Sequence, residues 1–102
     1  MQNQKMLKQL QQMQAKMAKM QQELDEATVT GTAGGGAVSV TVNGQQKVME
    51  VTIEPDVLEE GAELLADMVM AATNDALDKS RDLAAQQMGQ ITAGLGLPPG
   101  LL

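Results

Sequence analysis

The chain has 102 residues, 43% of them hydrophobic but none of them Phe, Trp or Tyr, and 13 acidic against seven basic side chains give a formal net charge of -6. This suits one small domain whose thin core is assembled from Met, Leu, Val, Ile and Ala. The absence of His and Cys excludes zinc sites, Ser-His and Cys-His nucleophile pairs, imidazole acid–base chemistry, Fe–S clusters and disulfides, and the absence of aromatics removes the usual platform for stacking single-stranded bases.

Asn3 to Glu26 predict a helix, since the segment has no Gly or Pro and is dominated by Gln, Lys, Met, Leu and Ala. Met6, Leu10, Met13, Met17, Met20 and Leu24 recur at alternating spacings of four and three, an unbroken heptad seam continued by Ala27. Such a helix is about 36 Å long at ~1.5 Å per residue. That exceeds what the rest of so small a domain covers, so part of the seam is expected to find another chain. A Met-rich stripe also suits an adaptable peptide groove, but the continuous heptad favours core or coiled-coil packing.

Lys5, Lys8, Lys16 and Lys19 fall within about 80° of one another on the helical wheel, beside the seam and not in it. Residues 1–22 hold these four lysines and no acid, which leaves three basic and 13 acidic side chains to residues 23–102. Two readings of this electrical split stand side by side. The lysines solubilise a coiled coil, or they meet a phosphate backbone, which the acids on the body do not prevent beyond a Debye length of about 8 Å.

The period then changes. Strands are predicted at about 27–32, 37–42 and 46–53, the last two from the alternation of Val38, Val40 and Val42 and of Lys47, Met49, Val51 and Ile53. Asn43-Gly44 between them predicts a hairpin with a two-residue turn. Gly34-Gly35-Gly36 separates the first strand as a turn, and Glu54-Pro55-Asp56 ends the third with a Pro-containing turn. The glycines lack the Gly-Lys-Ser/Thr continuation of a phosphate-binding loop.

A second helix is predicted over about 62–88, with Leu65, Met68, Val69, Ala72, Ala76 and Leu83 on one stripe that lies across the sheet. Its acids read as surface charge: Asp75 has Lys79 at i+4 and Asp78 has Arg81 at i+3, the spacing of ordinary helix ion pairs and not of a metal or catalytic pair. No metal and no cofactor are expected. Residues 1–93 form the single domain in this reading, and residues 94–102, rich in Gly, Leu and Pro, form a tail that is either docked or disordered. With no signal-peptide pattern and no apolar run near ~18 residues, a cytoplasmic location without a membrane partner is expected.

The order of these elements resembles the YbaB/EbfC family of bacterial nucleoid-associated proteins. The resemblance is carried by the Lys/Gln/Met-rich opening helix, Val29 to Gly31, the Val-rich strand reaching Asn43-Gly44, and Ile53-Glu54-Pro55-Asp56. Ala71-Ala72-Thr73-Asn74-Asp75-Ala76 on the second helix and the Gly94–Gly100 tail agree with it. The resemblance implies an α+β protomer of helix, three-stranded antiparallel meander and helix, which dimerises through its sheet region and projects helical arms like tweezers. It further implies binding of double-stranded DNA in the nucleoid, without enzymatic activity.

Carried over to this chain, the DNA-binding residues are Lys5, Lys8, Lys16 and Lys19 on the first helix and Lys79 and Arg81 on the distal second helix, where Asp78 and Asp82 flank them. Base-edge readout is not assigned, although Asn3, Gln4, Gln9 and Gln12 share the first helix. A second reading, of another class, is a coiled-coil or tail-mediated adaptor for recombination or replication proteins, because genes of such proteins often neighbour those for recombinational repair and the clamp loader.

Overall fold

The computed structural model describes residues 2–94; the predicted tail beyond Gly94 lies outside the described residues. Helix α1 (Gln2–Glu26) leads into an antiparallel meander of β1 (Thr28–Ala33), β2 (Val38–Asn43) and β3 (Val48–Ile53), followed by a short helix α2 (Pro55–Leu58) and a long helix α3 (Ala62–Gly94). A helix layer thus lies on a three-stranded sheet, an α+β architecture. The radius of gyration, 19.1 Å, exceeds the about 13 Å of a compact chain of this length, because the two long helices run out from the sheet to an overall extent of 70 Å.

Alternation along β2 builds the core. Val38, Val40 and Val42 point to the helix side and are fully buried with Ala72 and Ala76 of α3, while Ser39 and Thr41 take the other face. Opposite them, Gly31 pairs with Val40 in β1. A Cβ on Gly31 would stand 2.2 Å from the Ala76 nitrogen and 2.3 Å from the Ala72 oxygen. Strand and helix backbones therefore touch directly, with glycine on one side and alanines on the other.

The hairpin is longer than the two residues predicted. Asn43 closes β2, four residues follow before β3, and the left-handed conformation falls on Gln46 (φ 65°). The Asn43 side chain explains this: its Oδ1 accepts from the amides of Gln45 (2.9 Å) and Lys47 (3.0 Å), a local turn that supplants the tight one. Gly44 is used for packing. Its N–H donates to the Leu24 carbonyl at 2.7 Å, and a Cβ would come within 2.6 Å of the Leu24 side chain. On the α3 side, the fully buried Ser80 donates its hydroxyl to the Asn43 carbonyl at 2.8 Å. One turn thereby holds the end of α1 and the middle of α3.

Three further expectations are corrected. Glu54-Pro55-Asp56 is a helix start and not a simple turn, since proline suits the first helical position and its missing N–H has no partner to lose there. The second helix does not stop near residue 88 but continues through Gly89 to Gly94. A glycine costs a helix about 1 kcal/mol, and the burial of Thr92 and half-burial of Met88 and Ile91, the last beside α1, offset this. Leu83, expected over the sheet, is half-buried but not among the residues packed on the core, where Leu77 stands instead.

Because backbone must move to admit a methyl group at Gly31, Gly31→Ala is expected to lower unfolding free energy by about 3 kcal/mol, the upper end for overpacking. Urea denaturation followed by circular dichroism measures it, and a loss below the ~1 kcal/mol lower bound for overpacking would mean that β1 and α3 are not in backbone contact.

Candidate nucleic-acid interface

Two helices present six of the chain's seven cationic side chains, the seventh being Lys47 of the hairpin, and the structure treats them differently. On α1, Lys5, Lys8, Lys16 and Lys19 are all exposed, and among the described residues none of the four forms an ion pair; the pairs found are Lys79–Asp75 and Arg81–Asp78. The first acid of the helix is Glu23. The outer part of α1 is thus a projecting rod with one cationic face.

Lys79 and Arg81 are not brought to that face. The Lys79 ammonium donates to the Thr30 carbonyl at 3.0 Å and pairs with Asp75 at 3.3 Å, and Asp75 accepts the Thr32 N–H at 3.1 Å. These two side chains therefore occupy outward-facing backbone groups of β1 as a neighbouring strand would, closing that edge of the sheet. Arg81 is engaged with Asp78. At the other edge, β3 has no strand beyond it among the described residues, and Val48, Met49 and Val51 are about half exposed (47%, 55% and 46%). Val51 and Ile53 lie opposite Val40 and Val38, so they continue the core-side face beyond the cover of α3, which crosses β1 and β2.

The heptad seam is divided by the same geometry. Met20 and Leu24 are buried, Met13 and Met17 are half-buried, and Met6 (61%) and Leu10 (53%) are exposed with Leu7. Helix α3 runs antiparallel to α1, so Gln87, Gln90 and Ile91 stand beside Lys16, Lys19, Met20 and Glu23 around a groove of about 260 Å³. Gly94 reaches the level of Met6, Leu10 and Met13. The amides of Gln87 and Gln90 were not among the predicted site residues. No apolar period marked them: Gln90 is exposed and Gln87 half-buried, at the border of the side of α3 that buries Thr92 and half-buries Ala84, Met88 and Ile91.

Among the described residues, no group of three or more Asp, Glu, His or Cys side chains is arranged to hold a metal, and no helix is long and apolar enough to cross a membrane. The site is a solvent-facing helical surface.

An α+β protomer with one closed sheet edge and a lysine-bearing helical arm defines the class, and the comparisons with known proteins agree. The sequence model of the YbaB/EbfC DNA-binding family matches residues 1–95, and the chain belongs to that family, which is not a family of enzymes. It is 58% identical over 96 residues to a nucleoid-associated protein of Geobacillus sp. (strain WCH70), covering 93% of this chain and 89% of that one. A nucleoid-associated protein of Pelotomaculum thermopropionicum is 46% identical over 92% of this chain and 90% of its own length. The crystal structure of an uncharacterized protein from Helicobacter pylori shares the fold, with a TM-score of 0.73 at 23% identity over 80% of this chain and 87% of that one.

The Thr32 N–H, then the Lys79 ammonium, hold the Asp75 carboxyl below its ordinary pKa of 3.8. A group depressed in the folded state stabilises the fold above its unfolded pKa and loses that contribution as pH falls through the folded value. Asp75→Asn is therefore expected to reduce stability at neutral pH and to flatten the decline of stability below about pH 4, measured by denaturant midpoints from pH 7 to pH 2. An unchanged acid limb would remove Asp75 from the edge-closing role.

Proposed function

We propose that the chain acts as a homodimer that binds double-stranded DNA, largely through the phosphate backbone, and contributes to nucleoid organisation. The observation that carries this reading is the cationic face of α1: four exposed lysines without ion-pair partners among the described residues, on a stretch of helix that meets its first acid only at Glu23. Glu23 is the one acid beside these lysines; carboxylates farther than a Debye length of about 8 Å from the rod are largely screened, whereas phosphates in contact with it are not. Neutralising phosphates releases counterions, which makes such binding salt-dependent and nearly indifferent to sequence.

Dimerisation is supported by the open side of the sheet. With the β1 edge occupied by Lys79 and Asp75, the apolar, half-exposed face of β3 at Val48, Val51 and Ile53 is the part of the sheet left to meet a second copy. Two arms per dimer bring eight α1 lysines to one duplex. Val51→Glu leaves the protomer's own buried core untouched and is expected to halve the mass measured by sedimentation equilibrium; a mass unchanged from the wild type would move the dimer contact elsewhere.

The exposed tip at Met6, Leu7 and Leu10 favours a second reading, a protein adaptor in recombination or replication. Fluorescence anisotropy of a dye-labelled random-sequence duplex of about 30 bp separates the two. The slope of log K against log[salt] is expected to be negative and no steeper than about -7, or 0.9 for each of eight lysines, and to collapse when Lys5, Lys8, Lys16 and Lys19 are replaced by Gln. No binding at low salt by an intact dimer would leave the adaptor reading.

A further inference from the structure

The sheet-facing stripe of α3 changes chemistry where it leaves the sheet. Ala72 and Ala76 are fully buried and Ser80 is hydrogen-bonded beneath the hairpin, yet the same face continues into Gln87 and Gln90 against α1. Neither amide is buried in the helix–helix contact, so both keep donors available to a ligand in the groove. Gln87 is half-buried and Gln90 exposed, over a floor formed by Met20 and Ile91.

Charge gives the second observation. The last acid of α3 is Asp82, and the described residues beyond it, up to Gly94, carry no charge; the first acid of α1 is Glu23. Because the helices are antiparallel, these two boundaries fall toward the same end of the arm, and the outer arm carries only Lys5, Lys8, Lys16 and Lys19. Lys16 and Lys19 line one groove with Gln87 and Gln90, and Glu23 stands at its body-side end. Primary amines supply charge to a phosphate, and neutral amide N–H groups supply directed hydrogen bonds to its oxygens.

Building on the reading of the arm as a DNA-binding element, we propose that Gln87 and Gln90 of α3 complete a phosphate track with Lys16 and Lys19 of α1, so that the DNA backbone is held by both helices of the arm and not by the α1 lysines alone. In this arrangement the α3 contribution comes from the uncharged distal turns, past the segment where Lys79 and Arg81 are already engaged with acids. Glu23 marks the inner end of the track by repelling phosphate from the body.

Neutral and charged contacts leave different signatures in a salt titration, which makes the proposal testable on the full-length protein. Anisotropy of a labelled duplex of about 30 bp is measured at several salt concentrations for the wild type, Gln87→Ala/Gln90→Ala, Lys16→Gln/Lys19→Gln and Gln87→Lys/Gln90→Lys, each checked for helix content by circular dichroism. The Ala pair is expected to weaken binding roughly tenfold with an unchanged salt slope, because neutral donors release no counterions. The Lys16→Gln/Lys19→Gln pair is expected to flatten the slope by up to ~3.6 for the four lysines of a dimer. The Gln87→Lys/Gln90→Lys pair is expected to tighten binding and steepen the slope, a gain that misfolding does not produce. Wild-type binding with no loss in the Ala pair, or no gain in the Lys pair, overturns the track while leaving DNA binding by α1 in place. Absence of wild-type binding overturns both.

Discussion

The direct contact between Gly31 and the Ala72–Ala76 turn of α3 is the constraint on which the rest of the architecture rests. A sheet without aromatic side chains offers little apolar area, so the core gains cohesion by bringing strand and helix backbones together and filling the remaining space with three valines. Once α3 is seated at that distance, its direction is set. The helix extends far past the sheet, and its far end runs beside α1. The same economy appears at Gly44, whose lack of a side chain lets the hairpin close over Leu24. Asn43 links the two seats through its own hydrogen bonds and that of Ser80. The arm is therefore aimed by contacts in the body, about one to five turns away from its lysines.

Electrostatics divide the molecule along its long axis. Charge of one sign on the outer arm and of the other on the body would largely offset each other in a compact domain, where more opposite charges lie within a Debye length of about 8 Å of one another. Extension to 70 Å removes that cancellation and lets an acidic protein present a cationic surface. Membership of a DNA-binding family fits this division, since a polyanion reads local charge and not the net value.

The two edges of the sheet are managed in opposite ways. The Asp75–Lys79 pair, an unremarkable i,i+4 spacing in the sequence, occupies β1 groups that another strand would otherwise pair with, and so does work that an isolated surface ion pair does not. Edge β3 has no such cover and carries valines outside the reach of α3. A protomer closed on one side exposes one sheet edge instead of two, which limits uncontrolled strand pairing.

Much of this was legible from residue order alone. The heptad and valine periods specified two long helices and three strands, the missing His and Cys excluded most catalysis, and the lysine row was visible as a helical face, because all of these depend on local spacing and side-chain chemistry. The tertiary structure alone decided what each charge and apolar residue meets. It engaged Lys79 and Arg81 with acids, because a strand edge 49 residues away in the chain from Lys79 lies within its reach. It divided the seam into buried Met20 and exposed Met6, because α3 covers only part of α1. It carried α3 through Gly89, because packing against a neighbouring helix outweighs a local propensity of about 1 kcal/mol. It brought Gln87 and Gln90 to the lysines, because antiparallel packing joins residues that no local pattern relates.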